Sequence, residues 1–93
     1  MTNFQPGDVA RRRQEAESAH TILERTRVLR GKSVEAIAKE TGLSANRLDS
    51  LERQVGSPPT SDERTKLRKV YGSSPVLFEE ATPDNVAAEN SRF

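Results

Sequence analysis

The chain has no cysteine and one histidine, His20, in 93 residues. Disulfides, thiolate metal sites and cysteine nucleophiles are thereby excluded, and imidazole-based metal or triad chemistry very nearly so. Long apolar runs are missing too. No stretch approaches the roughly 18 apolar residues of a membrane span, and the opening MTNFQPGDVARRR lacks the apolar segment of a secretion signal. A cytoplasmic protein with no membrane association is expected. Hydrophobic residues make up 32% and charged residues 31%, which suits one small domain with tails and leaves little room for a deep cofactor pocket. No nucleophile–base pair, ligand cluster or phosphate-cradling glycine loop is present in the sequence. An enzyme is therefore not expected, nor a cofactor.

The net charge of +1 is unevenly distributed. Residues 1–20 are neutral, 21–56 and 57–72 each carry +2, and 73–93 carry −3. A near-neutral total thus conceals a basic middle and an acidic end.

Turn and cap residues divide the chain. Pro6, Gly7 and Asp8 sit in a stretch with no apolar period, which reads as a flexible arm with Asp8 as the cap of the first helix. Between residues 9 and 30 no proline or glycine intervenes, so one helix of up to about 20 residues is expected, with its apolar signal starting at Ile22. Gly31 ends it, and Ser33 and Ser44 cap the next two helices, the second running to about Val55 before Gly56-Ser57-Pro58-Pro59. Thr60 and Glu63 form a T-x-x-E capping box for a fourth helix, closed by Gly72. Ser73 or Ser74 with Pro75 would begin a short fifth helix holding Val76, Leu77 and Phe78. The polar segment 81–93 is expected to be disordered unless a partner orders it. The expectation is an all-α, compact bundle of about five short helices. Residues 1–19 form an arm with a helical extension, 20–80 the domain, and 81–93 a flexible acidic tail.

Residues 32–52, KSVEAIAKETGLSANRLDSLE, carry the sharpest pattern. Val34, Ile37, Ala38 and Thr41 recur at one face of a 3.6-residue period, and Leu48 and Leu51 form the inner stripe of the following helix. Gly42 can stop the first helix in a left-handed conformation and Ser44 can cap the second, so the chain turns within four residues. Ala45, Asn46, Arg47, Asp49 and Ser50 are left without a core role. This is the layout of a helix-turn-helix, whose second helix meets base edges.

Over about residues 22–80 the order of elements resembles the lambda-repressor/Cro-like, Xre-type helix-turn-helix domain. The resemblance rests on Leu23, Arg27, Gly31, Ser33, Ala38, Gly42, Leu43, Ser44, Leu48, Leu51, Glu52 and Arg53, with the proline-containing loop and Gly72. It implies a bundle of five short helices and an Arg27–Glu52 ion pair tying the first helix to the third. It also implies double-stranded DNA as partner in a bacterial, nucleoid-associated setting. Three positions depart from the family pattern. Thr26 stands where leucine is usual, Val34 replaces a phosphate-contacting glutamine, and the loop 54–57 lacks the usual basic residues.

From these residues, base reading is assigned to Ala45, Asn46, Arg47, Asp49 and Ser50. Asn46 leads, because an amide can bond both N6 and N7 of adenine. Phosphate contact is assigned to Lys32, Ser33, Ser44 and Arg53, and to the run Arg11, Arg12 and Arg13, which could lie on the backbone or in the minor groove. Against this, Arg11 with Glu15 and Arg13 with Glu17 have the spacing of solvated helix ion pairs. His20 reads as a surface or packing histidine. The leading expectation is a regulator of transcription, a repressor of phage, mobile-element or antitoxin type, that binds DNA as a homodimer or dimerises only there, using Val76, Leu77 and Phe78. The competing expectation is a helical interaction module that has lost DNA binding and docks a protein partner through its C-terminal region, with Val86 and Phe93.

Overall fold

The computed structural model describes residues 6–91, with side chains from Arg11 onward. Six helices follow one another: α1 (Pro6–Glu17), α2 (Ile22–Leu29), α3 (Val34–Thr41), α4 (Ala45–Arg53), α5 (Ser61–Tyr71) and α6 (Pro83–Asn90). The described chain is all-α, and its one bridge of β type is an isolated pairing of Thr21 with Glu80. Of the flexible arm expected over the first eight residues, residues 1–5 lie outside the described residues, as do Arg92 and Phe93, while residues 6–8 are helical.

Local caps set most of the helix starts. Ser33, Ser44 and Thr60 each accept from the backbone N–H three residues on, and the Glu63 carboxylate returns the contact to the Thr60 N–H. The inner faces of α2 to α5 meet Leu77, from the turn after α5, in one core of Ile22, Leu23, Ile37, Leu48, Leu51, Leu67, Tyr71 and Leu77. Thr26, half-buried on α2, donates its hydroxyl to the Ile22 carbonyl at 2.7 Å.

Several expectations need correction. The single helix over residues 9–30 is two helices. Thr21 caps α2 by accepting from Glu24 N–H, while its own hydroxyl donates to the Glu52 carbonyl at 2.9 Å in the interior. Asp8 falls inside the first turn of α1, since α1 begins at Pro6. The helix capped by Ser44 stops at Arg53 rather than Val55, because Gln54 adopts φ 57°. A left-handed non-glycine residue costs about 1–2 kcal/mol. The Gln54 side chain offsets that by donating to the Phe78 carbonyl and sharing a 3.2 Å hydrogen bond with the His20 ring.

The expected fifth helix at residues 76–78 is a turn. Ser74 accepts from Val76 N–H, Glu79 N–H closes on Val76, and residues 79–81 then pair with 20–22 through Ile22 N–H to Glu79 and Ala81 N–H to His20. That pairing pulls the chain out of helical geometry. Leu77 is fully buried, and Val76 and Phe78 pack on the core, Phe78 lying under Arg64 and Arg68. They are therefore not the surplus apolar face from which a dimer contact was expected. Finally, the expected disordered tail contains α6. Thr82 accepts from Asn85 N–H, Pro83 occupies the first turn, and Val86 packs against the core.

Candidate nucleic-acid interface

The α3–α4 pair is joined by its own turn, and two ion pairs fix α4 to α2 and to α5. Gly42 takes φ 78° and its N–H closes on the Ala38 carbonyl at 2.8 Å. Thr41 is buried, donates to Ile37 and accepts from Leu43 N–H, so the turn's polar groups are satisfied from within. Leu43 then reaches the core, and α4 presses Leu48, Leu51 and Glu52 inward.

Glu52 lies at the inner end of that face with its side chain only 4% exposed. Arg27 meets it with two parallel bonds, Nε to Oε2 at 2.7 Å and Nη2 to Oε1 at 3.0 Å, and uses Nη1 to donate to the Lys32 carbonyl at 2.9 Å. One guanidinium thus ties α2 to α4 and to the connection before α3. Burial pushes the Glu52 carboxyl above its ordinary range against the pull of Arg27, and the bond to Glu52 holds the Arg27 guanidinium above its own. Burial likewise raises the Tyr71 phenol, close by on α5.

Arg47, a candidate base reader by its sequence position, is engaged within the fold. Its Nε and Nη2 bond Glu63 Oε2 and Oε1 at 2.8 and 2.9 Å, and Nη2 also donates to the Pro58 carbonyl. These bonds clamp α4 to α5 and hold the Glu63 carboxyl down to about 2. In the sequence Glu63 is visible only as half of a capping box. Its second role depends on a residue 16 positions away, for which no local signal exists.

What remains outward on α4 is Asn46, Asp49 and Arg53, all exposed, with Ala45 and Ser50 half-buried at the edges. Asn46 has its side chain to the solvent, Ser50 donates to the Asn46 carbonyl, and Arg53 Nε donates to Asp49 Oδ1 at 3.1 Å. With side chains 67% and 52% exposed, the Arg53–Asp49 pair is worth about 0–1 kcal/mol and opens readily. Ser33 and Ser44 start α3 and α4, and Lys32 pairs with exposed Glu40 at 2.7 Å. The arginine run divides. Arg11 and Arg12 line a cleft with Lys32 and Ser33, while Arg13 is exposed and off that cleft. The Arg11–Glu15 and Arg13–Glu17 pairs suggested by spacing do not form. His20 is exposed and bonds Gln54. A second cleft, of about 270 Å³, separates Leu51, Pro58 and Pro59 from Arg64 and Phe78.

No protein-family model, curated protein or solved structure matches the chain. No helix among the described residues is long and apolar enough to cross a membrane.

Proposed function

We propose that this chain is a sequence-specific DNA-binding regulator of transcription, of the lambda-repressor/Cro-like kind its sequence resembles, acting with α4 in the major groove. One observation carries the reading. Every large or charged side chain on the inner half of α4 has a structural partner, while its outward residues Asn46, Asp49 and Arg53 have no role in the fold beyond one exposed ion pair. An outward amide suits adenine, a carboxylate accepts from cytosine N4, and Ala45 can touch a thymine methyl. Ser33 and Ser44 stand at helix N-termini, where backbone N–H groups favour phosphate. Lys32 and Arg53 are held by exposed pairs that exchange a carboxylate for a phosphate at little cost.

One such helix covers only a few base pairs, so a homodimer on a two-fold operator supplies the remaining length. The chain would then act by occupying DNA, as repressors of phage, mobile-element or antitoxin type do. The test is recovery of genomic fragments by the purified protein, followed by sequencing, beside an Asn46→Ala, Asp49→Ala variant. A recurring inverted repeat that the variant no longer selects supports a dimeric base reader. Uniform weak recovery, unchanged in the variant, sinks the reading.

The competing role as a protein-interaction module draws on one feature, the cancellation of Asp49 by Arg53 on the outward face of α4. Its expected docking residue Val86 is turned to the core, and Phe93 lies outside the described residues. Uniform weak recovery in the same experiment would favour this role.

A further inference from the structure

We infer that the cleft between α1 and the α2–α3 connection seats a backbone phosphate of bound DNA, with Arg12 as its principal donor, an assignment that rests on the DNA-binding reading. The cleft, about 480 Å³ and open to solvent, brings Arg11 and Arg12 of α1 to Lys32 and Ser33 at the start of α3. Arg27 stands at its back, already committed to Glu52. Glu15 is its one acidic lining residue.

Arg12 is the informative member. It is half-buried, and among the described residues its guanidinium has neither a hydrogen-bond nor an ion-pair partner. Its guanidinium lies against Gly31: a Cβ placed there would fall 2.7 Å from Arg12 Nη1 and 3.6 Å from its Cδ, so the absence of a side chain at Gly31 leaves room for it. An arginine placed this way keeps its planar fork of five donors available, the geometry that suits phosphate oxygens. Glu15, on the same cleft, likewise has no ion-pair partner among the described residues. The helix thus leaves an arginine and a carboxylate uncancelled within one turn of each other, as expected where the arginine serves an external anion.

The position also answers a shortage. The loop 54–57 carries no basic residue, and the cleft continues the edge formed by Lys32 and Ser33 with charge from another helix. The contact is to backbone oxygens and reads no bases, so its loss should weaken binding to any duplex alike.

The experiment is fluorescence anisotropy of a labelled duplex across a salt series, with the full chain and the variants Arg12→Gln, Arg13→Gln, Glu15→Gln and Asn46→Ala. Removing one phosphate contact should reduce the slope of log affinity against log salt by roughly 0.9 and weaken binding about eightfold near 0.1 M salt. That is expected for Arg12→Gln on the selected sequence and on an unrelated one, with a smaller change for Arg13→Gln, whose side chain does not line the cleft; an equal or larger change in Arg13→Gln overturns Arg12 as the principal donor. Glu15→Gln should bind more tightly than wild type, a gain that a merely structural role would not produce. If Arg12→Gln is destabilised in a thermal melt, Glu15→Gln decides alone, and an unchanged affinity overturns the assignment. Wild-type binding with an unaltered slope in a folded Arg12→Gln overturns the cleft and leaves α4 as the reader. Absence of wild-type binding at low salt overturns both. Loss of sequence preference in Asn46→Ala with its slope retained separates base reading from the cleft.

Discussion

Replacing Arg27 with methionine removes the charge that compensates Glu52 while leaving the length and most of the apolar stem of the side chain. Glu52 has a side chain only 4% exposed and accepts both parallel bonds from Arg27, whose own side chain is 15% exposed. Breaking one side of a buried pair costs about 3–5 kcal/mol, and the partial exposure of Arg27 favours the lower end. A loss of about 3 kcal/mol is a large part of the roughly 5–15 kcal/mol of a small domain, and should lower the melting temperature by about 15 °C. The pH dependence separates this cause from lost packing. Glu52 is already raised by burial, then lowered again, though not fully, by Arg27. Without Arg27 it rises further. A raised carboxyl gives stability that is present below the unfolded value and lost as pH rises through the folded one, so Arg27→Met should lose more at about pH 8 than at about pH 5. Urea unfolding at the two pH values reads this directly. In Arg27→Met, Glu52→Leu the stranded charge is gone, and most of the stability should return. A loss below about 1 kcal/mol, or an equal loss at both pH values, would refute the reasoning.

Arg47 holds the Glu63 carboxyl down to about 2 from an ordinary 4.5, so its contribution is present above the unfolded value and disappears as pH falls from 4.5 towards 2. An acid titration of helical circular dichroism should show that decline in wild type and not in Glu63→Gln; superimposable titrations would refute the link. Gly42 has open space around it but φ 78°, so Gly42→Ala should cost about 1–2 kcal/mol in denaturant unfolding, and Gly42→Asn less. Thr82→Ala removes the acceptor for Asn85 N–H at the start of α6, and should lower stability by about 1 kcal/mol. Hydrogen exchange should quicken in residues 85–90 before it does in α3 or α4.

The legible parts of the fold are those in which cause and effect lie within four residues. Ser33, Ser44 and Thr60 each bond an N–H three positions on, Gly42 closes on Ala38, and all of these stand in the sequence as cap and turn residues. The same kind of signal was present and outweighed in two places. Thr21 with Glu24 marks the start of α2 inside a run of helix formers, and Thr82 with Pro83 marks α6 inside a polar segment. At Thr21 the balance is tipped by a hydroxyl bond to Glu52, 31 residues away, and by the pairing of residues 79–81 with 20–22.

For the candidate site, the sequence alone determined which residues lie on the outward side of α4, because helical period places Leu48 and Leu51 opposite Asn46 and Asp49. The Arg27–Glu52 bond was an implication of resemblance, and the structure supplies its geometry. Only the tertiary structure decided that Arg47 bonds Glu63, that Val76 and Phe78 cover the core, and that Arg12 rests on Gly31. The physical reason is range. Caps and periodic faces follow from bonds between near neighbours along the chain, whereas the partner of a long charged side chain is whichever group packing brings within about 3 Å.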